Sequence, residues 1–587
     1  MSQMTNVQRI LGYYARYKRA LVLGGLAVVL SYIVKLSAPS IVKLAIDDLR
    51  QTSESGATMQ RSLVWYGAVY LSIILVQGLF LYAQRWILIG MSRDVEYDLR
   101  NDFYAHMQRL PQSFYVENRT GDLMARATND LGAVRMMIGP ALMYALGTGT
   151  VIILAFPLML RISVSLTLLS LCTLPFVSIA TKFFAKRIHD RFEKVQEEFS
   201  SITARAQENL AGVRVVRAYT REDTESEAFG AFNRTFVERN RAIAKLQSLF
   251  YPCLQTFTGL GFAAVVWYGG QKVMSGDISL GQFVEFNFYL TYLIWPTIAL
   301  GWVINLYQRG MASMGRLNSI LNAEPAIADA PDARDIDVAG GIEFSNLTFT
   351  YPGAARPVLS DISLRIEPGT TLAIVGRTGS GKSTLVNLIP RLIDAEPGMV
   401  RIDGNPIHEV TLESLRAGIG YVQQETFLFS DTVSENIAFG VPGAERAEVE
   451  CAAEQAGLAR DVVTFPKGFE TMVGERGITL SGGQKQRTAI ARALLRQPRI
   501  LILDDALSAV DTYTEERILK RLRGIMLDRT SILVSHRVST VKEADLIIVL
   551  EDGRIAERGT HDELLAHGGL YAELHQRQML EEELAAS

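Results

Sequence analysis

Apolar residues are spread unevenly along this chain. Six long, mostly apolar stretches, residues 20–46, 64–90, 137–160, 163–184, 250–273 and 283–306, all lie before residue 310. A helix needs about 20 such residues to cross the ~30 Å of bilayer hydrocarbon, so each stretch predicts a span. Buried helices of a large soluble core would share this pattern, and the flanking charges decide between the two. Arg93, Arg100, Arg109, Arg119, Arg126 and Arg135 lie between the second and third stretches. Lys182, Lys186, Arg187, Arg214, Arg217, Arg221, Arg241 and Lys245 lie between the fourth and fifth. The opposite connections are short and carry Arg50 and Arg61, then Arg161, then Lys272. This is the positive-inside pattern, and an even number of spans then leaves both termini in the cytosol.

The two basic connections, of about fifty and sixty residues, are too long for loops in a compact bundle. Leu99, Phe103, His106, Met107 and Leu110 recur at helical spacing, so the spans are expected to continue as helices into the cytosol. Pro111 and Gly121 mark one bend and Gly212 lies near the other. Residues 1–19 lack the apolar core and cleavage site of a signal peptide. Arg9, Arg16, Lys18 and Arg19 keep this segment cytosolic, and Ile10, Leu11, Tyr13 and Tyr14 suit a short helix on the inner membrane surface.

Residues 324–341 are rich in Ala, Asp and Pro without apolar periodicity, which sets a boundary. The expected division is a membrane domain over 1–325, a linker over 326–340 and a soluble α/β domain over 341–587. Lys and Arg total 59 against 62 Asp and Glu, a balance that argues against nucleic acid as a partner. A hydrophobic content of 48% excludes intrinsic disorder. Cys172, Cys253 and Cys451 are scattered, form no CxxC pair and predict neither a disulfide framework nor a zinc site.

In the second half, Thr371–Val375 reads as a buried strand running into Gly376-Arg377-Thr378-Gly379-Ser380-Gly381-Lys382-Ser383, followed by Thr384. This is G-x-x-x-x-G-K-S between strand and helix, a P-loop whose glycines let backbone N–H groups close on phosphates. Lys382 is expected to reach the β- and γ-phosphates and Ser383 to ligate Mg²⁺. Residues 499–504 form an apolar strand ending in the carboxylate of Asp504, a second Mg²⁺ group. Between them Leu480-Ser481-Gly482-Gly483-Gln484 opens a helix and makes another anion cradle. One P-loop already holds its own nucleotide, so the second cradle suits a nucleotide held by another chain.

Together these motifs resemble an ATP-binding cassette (ABC) exporter half-transporter over essentially the whole length. The resemblance implies an α-helical transmembrane domain of six spans with long cytosolic helix extensions, plus an α/β P-loop NTPase domain. Leu480–Gln484 is similar to the family signature, which completes the partner chain's ATP site. Tyr351 matches the aromatic that stacks on adenine. Gln424 matches the glutamine that senses the γ-phosphate and Mg²⁺. Ser508-Ala509-Val510-Asp511 resembles the dimer-crossing D-loop, and His536 the switch histidine. Gly474-Glu475-Arg476-Gly477 is similar to the exporter loop before the signature. The segments around Leu110-Pro111 and Thr120–Leu123, and around Gln207-Glu208 and Gly212–Arg214, resemble the two coupling regions.

One position departs from the family. The residue after Asp504 is normally a glutamate that polarises the attacking water, and here it is Asp505. Its arm is one methylene shorter, and a misplacement of about 1 Å can cost ~10²-fold in a positioned reaction. The resemblance therefore implies ATP and Mg²⁺ binding with weak hydrolysis at this chain's own P-loop. The favoured arrangement is a heterodimer with a second half-transporter, against a slow homodimer. It implies export of an amphipathic drug, lipid or peptide by alternating access, from a multi-pass protein in a bacterial inner or plasma membrane among membrane lipid. An ATP-gated channel or regulatory subunit is the competing class. Lys35, and Glu285, Asn287, Tyr289 and Tyr292 beside Trp295, either line a polar cavity or bond between helices. Pro296 is a candidate kink in the sixth span.

Overall fold

The computed structural model describes residues 4–55, 63–172, 174–474, 477, 479–507 and 512–586. The chain forms two compact units, Met1–Met107 with Gly121–Asn322 and Gln108–Thr120 with Ala323–Ser587. The bend at Gln108–Thr120, which the sequence reading kept within 1–325, thus groups with the second unit.

The first unit is helical: α1 Asn6–Arg16, α2 Lys18–Ser55, α3 Leu63–Met107, then (past α4, Gln112–Glu117, in the other unit) α5 Thr120–Ala125, α6 Leu131–Met136 and α7 Leu142–Ile162. It continues with α8 Val164–Leu171, α9 Leu174–Ala211, α10 Val213–Ala218, α11 Glu222–Met274 and α12 Leu280–Leu321. With its 45 residues, α3 is about 67 Å long. The 53 residues of α11 make it about 80 Å. Both exceed the hydrocarbon more than twofold, so the apolar stretches do run on as long polar helices. Among the described residues five helices are long and apolar enough to cross a membrane: Lys18–Ser53, Leu63–Met107, Thr120–Ile162, Glu222–Met274 and Leu280–Leu321. The fourth expected stretch, 163–184, is shared between α8 and α9, with Thr173 outside the described residues. Ser163 is extended and its Oγ accepts from the Leu166 N–H, which caps α8 and turns the chain after α7.

The third stretch lies in a rod with two π-turns, Arg126–Asp130 and Met137–Ala141. Pro140 in the second lacks the N–H an α-turn uses. The first presents Asp130 to α12, where it accepts from Ser313 Oγ at 2.9 Å and Arg316 Nε at 2.9 Å. The α1 helix is pinned through Arg9 Nε to Asn318 Oδ1 (2.6 Å) and Tyr13 OH to Asp102 Oδ2 (2.7 Å).

The charges inside the spans separate into two cases. Glu285 is buried, accepts from Ser40 Oγ at 2.6 Å and Tyr289 OH at 3.0 Å, and faces Lys43 Nζ at 3.7 Å. Tyr289 OH also lies 3.2 Å from the Leu36 carbonyl. Apart from the Tyr289–Glu285 bond, which lies within α12, these contacts join α2 to α12, so Glu285 and Tyr289 serve packing. Asn287 donates to the Phe283 carbonyl of its own helix at 2.8 Å, and the Trp295 ring is exposed. Lys35 rests its ammonium over Tyr292, 4.6 Å from the ring centroid, and 5.8 Å from that of Tyr32. Pro296 sits within α12, which runs unbroken from Leu280 to Leu321.

The second unit holds two sheets. Strands β1 Ile342–Phe349, β2 Leu359–Ile366, β4 Val400–Ile402 and β5 Asn405–Pro406 make an antiparallel sheet in the order β2-β1-β4-β5. Strands β3 Thr371–Gly376, β6 Ile419–Val422, β7 Ile500–Asp504, β8 Thr530–Val534, β9 Leu546–Glu551 and β10 Arg554–Gly559 make the other, ordered β10-β9-β3-β8-β7-β6. It is parallel except for β10. Every residue of β7 and β8 is buried, which is why Ile500–Leu503 and Ile532–Val534 are apolar throughout. The segment expected as a linker is fastened to this unit. Arg334 N donates to Glu409 O at 2.8 Å, Leu412 N to Asp329 Oδ1 at 2.7 Å, and Asp403 accepts from the N–H groups of Ala339 (2.7 Å) and Gly341 (2.6 Å).

Because Glu285 joins Ser40, Lys43 and Tyr289, Glu285→Ala should cost on the order of 1–3 kcal/mol, whereas Glu285→Gln keeps an acceptor and should cost less. Thermal unfolding of the detergent-purified variants checks this. Equal melting temperatures would show that the network is not holding α2 to α12.

Candidate nucleotide site

Strand β3 ends where the sheet's ligand-binding edge begins. A Cβ at Gly376 (φ 152°) would lie 2.3 Å from the Leu550 carbonyl oxygen, and one at Gly381 (φ 98°) 2.8 Å from Leu359 Cδ2. Only glycine fits these turns. At Gly379 (φ 86°) a Cβ would meet nothing within 4 Å, so the loop faces open space there. The helix Lys382–Leu388 starts at once, with its free N–H groups toward the loop.

Lys382 is 6% exposed. Its Nζ donates to the carbonyls of Gly376 and Arg377, both at 2.9 Å. Burial lowers its pKa, and Asp504 and Asp505 oppose that shift. Asp504 is 3% exposed, and its Oδ1 has no hydrogen-bond partner; neither does the buried Ser380 Oγ. Burial raises the Asp504 pKa, the Ser383 hydroxyl bonding to it lowers it, Asp505 raises it and Lys382 lowers it. Orphaned buried oxygens beside a glycine loop with room in front of it fit a hydrated Mg²⁺ and a polyphosphate. Mg²⁺, when bound, supplies positive charge to the phosphate oxygens.

Register brings the remaining groups to this edge. Asp504 pairs with Val534 and Ile374 with Val534, so β7 and β8 end level with one another and β3 runs on two residues further, to Gly376. Val422 pairs with Leu503, placing Gln424 just past the end of β6, exposed. His536 follows β8, and its pKa is pushed down by burial and by Lys382, with Asp505 opposing. Both of the larger effects favour the neutral imidazole. Asp505 adopts φ 49°, and its N–H donates to Val534 O at 2.9 Å. Aspartate is among the few residues enriched in that left-handed region. Tyr351, after β1, reaches the P-loop helix with its OH 3.2 Å from Thr384 Oγ1, its ring edge-on to Phe349.

The signature-like residues are built separately. Ser481 caps the helix Gly482–Leu495: its Oγ accepts from Gln484 N–H at 3.3 Å, and its own N–H donates to Gln484 Oε1 at 3.0 Å. Leu480 and this helix share a hydrophobic cluster with Val449, Ala453 and Ile518, whereas Leu385 of the P-loop helix packs in another. Among the described residues no hydrogen bond or ion pair joins Leu480–Gln484 to the P-loop. The D-loop candidates Ser508, Ala509, Val510 and Asp511, and Glu475 and Arg476, lie outside the described residues. Sequence reasoning missed Gln578 of the C-terminal helix, whose amide meets the carbonyl of His536 and the N–H of Val538. No motif spacing announces it.

The sequence matches the family described as ABC transporter transmembrane region over residues 21–297 and that described as ABC transporter over residues 359–508. It is 38% identical over 571 residues, 97% of this chain and 96% of the other, to the Bacillus subtilis (strain 168) protein "Probable multidrug resistance ABC transporter ATP-binding/permease protein YheI". The chain belongs to the ABC transporter family. It is an ABC half-transporter, with an N-terminal helical transmembrane domain and a C-terminal nucleotide-binding domain. It is also 36% identical over 546 residues to the "ATP-dependent lipid A-core flippase" of Syntrophus aciditrophicus (strain SB), covering 93% of this chain and 90% of that one. A solved structure titled "Structure of a bacterial Atm1-family ABC exporter with ATP bound" superposes with a TM-score of 0.78 at 30% identity, over 96% of this chain and 99% of that chain. As an ABC exporter it is a multi-pass membrane protein that couples ATP hydrolysis to export, and ABC exporters work as dimers.

Because Lys382 gives the loop its only buried cation among the P-loop residues, Lys382→Met should weaken ATP binding by at least tenfold, or about 1.4 kcal/mol. Its melting temperature should fall as well, since Asp504 loses the buried cation beside it. Equilibrium binding of labelled ATP, beside a melting curve, measures both.

Proposed function

We propose that this chain is the degenerate-site half of a heterodimeric exporter of amphipathic substrates. Tyr351 stacks on adenine, residues Gly376–Thr384 enclose the phosphates with Lys382 on the β- and γ-groups, and Ser383, Gln424 and Asp504 hold Mg²⁺. Asp505 and His536 occupy the catalytic positions. Leu480–Gln484 completes the ATP site of the partner chain, which Ser508–Asp511 helps to join. Both termini lie in the cytosol of a bacterium, and the transmembrane domain sits in the plasma membrane.

Asp505 carries this reading. The other nucleotide groups are all present in the sequence, and Lys382, Ser383, Asp504 and Asp505 interact at the edge of the sheet. The hydrolytic position alone is short by a methylene, so binding is favoured over cleavage. The unbonded separation of Leu480–Gln484 from the P-loop supports a site completed by a second chain. The mechanism follows from differential affinity: ATP held between two chains favours their closed arrangement, and cleavage removes that bias. The grouping of Gln108–Thr120 with the nucleotide unit supports these residues as a tip that carries closure to the spans. The relatives named for multidrug resistance and for lipid A-core flipping support an amphipathic substrate, drawn from drugs, lipids or peptides.

The purified chain alone should turn over ATP slowly, and Asp505→Glu should raise the rate by about 10–10²-fold with little change in KM. Steady-state ATPase assays decide it. Robust turnover by the unaltered chain would instead make a homodimeric exporter the correct account.

A further inference from the structure

The C-terminal helix lies beyond the matched nucleotide-binding segment, and no motif in it suggested a role. It runs from Leu570 to Ala586. Its start is fixed by the carboxylate of Glu557 in β10, which accepts from Leu570 N–H at 2.6 Å and Tyr571 N–H at 3.1 Å. Tyr571 is fully buried against Val375, Val541 and Val549, with Leu574 packed on the same cluster. Tyr571, Leu574 and Gln578 are spaced i, i+3 and i+7, so they lie on one face of the helix. The packing that seats Tyr571 and Leu574 therefore also aims Gln578 at the sheet.

Gln578 lands on the segment after β8. Its Oε1 accepts from the Val538 N–H at 2.6 Å and its Nε2 donates to the His536 carbonyl. Val538 opens the short helix Val538–Val541, so its N–H has no partner within that helix. Between these two contacts Arg537 N–H donates to Ser535 Oγ at 3.0 Å. The backbone at 536, 537 and 538 is thus held at each residue. A carboxamide is one of the few side-chain groups that can donate and accept at once, and asparagine would be a methylene short. A second contact from the helix, Glu573 to Arg377 of the P-loop at 3.7 Å, is exposed on both sides and adds little.

We propose that Gln578 is a positioning residue for hydrolysis: its amide clamps the backbone that carries His536, and so sets where the imidazole stands. This rests on the reading of His536 as a catalytic group. Adenine and phosphate groups bind elsewhere, so the clamp acts on turnover and not on affinity.

The test uses the full-length chain carrying Asp505→Glu, so that turnover is measurable, with Gln578→Leu, which keeps the shape and removes both hydrogen bonds. Gln578→Leu should lower kcat about tenfold with KM for ATP within about twofold. Gln578→Glu, which keeps an acceptor but cannot donate, should fall between. Met579→Ala, at an exposed neighbour, should match the parent. A double-mutant cycle with His536→Ala separates positioning from general stability, because a clamp acting through the imidazole has nothing left to position once it is gone. Gln578→Leu should then have no further effect on the residual rate. An unchanged kcat in Gln578→Leu, or a full additive loss in the His536→Ala background, overturns the proposal while leaving the histidine's role standing. An unaltered rate in His536→Ala alone overturns the histidine reading first, and the clamp with it. If the unaltered chain is already fast, the same cycle is run without Asp505→Glu and is read in the same way.

Discussion

Lys382 is an ammonium removed almost wholly from water at the edge of a parallel sheet, and a buried charge is tolerated only where polar groups replace the lost hydration. The carbonyls of Gly376 and Arg377 do part of that, and the field of Asp504 and Asp505 does the rest. The glycines are required because the carbonyls can turn inward only on a backbone that no Cβ obstructs. The carboxylates arrive because β7 runs parallel beside β8, and β8 beside β3, with Asp504 and Ile374 both in register with Val534. The same adjacency that neutralises the lysine sets His536 and Asp505 at one edge. Parallel order thus has an electrostatic consequence, and the long buried runs of β7 and β8 exist to hold it.

Features confined to a contiguous run of residues were legible in the sequence. The P-loop declares itself because strand, glycines, lysine and helix follow one another and each has a local physical reason. The spans declare themselves because hydrocarbon thickness sets a length. Features made by residues far apart in the chain were not legible. Asp329 and Asp403 fasten a segment whose composition reads as a free linker, because a carboxylate accepting backbone N–H groups has no periodic signature. The π-turn at Arg126–Asp130 is equally silent, yet it is what presents Asp130 to Ser313 and Arg316 of α12. Gln578 is an ordinary glutamine on an ordinary helix until Tyr571 and Leu574 are seated.

The membrane-embedded charges show the same division. Sequence alone flagged Lys35 and Glu285 equally, since either is costly in hydrocarbon. The fold separates them by what α12 brings alongside α2. Glu285 finds two hydroxyls and an ammonium, so its charge is matched within the chain and its effect is to tie two helices together. Lys35 finds the faces of tyrosines, an attraction of smaller size than an ion pair. A polar residue in a span is therefore not one kind of signal, and its neighbours decide which kind it is.

Asp505 is suited to its backbone, although in the proposed reading its arm is short for catalysis. Its φ of 49° lies where aspartate is enriched among non-glycine residues, and its N–H is tied to β8, so nothing local disfavours it. In the proposed heterodimer this has a consequence for the transport cycle. A ligand shifts a conformational equilibrium only by its differential affinity for the two states, and ATP that is bound but not cleaved goes on favouring the closed one. Cleavage at the partner's competent site then withdraws one of two biases, and the domains part on that side while the site built on this chain's P-loop still holds. The residue at 505 would thereby set how far the two domains separate in each cycle, a property that neither binding nor turnover at a single site would reveal.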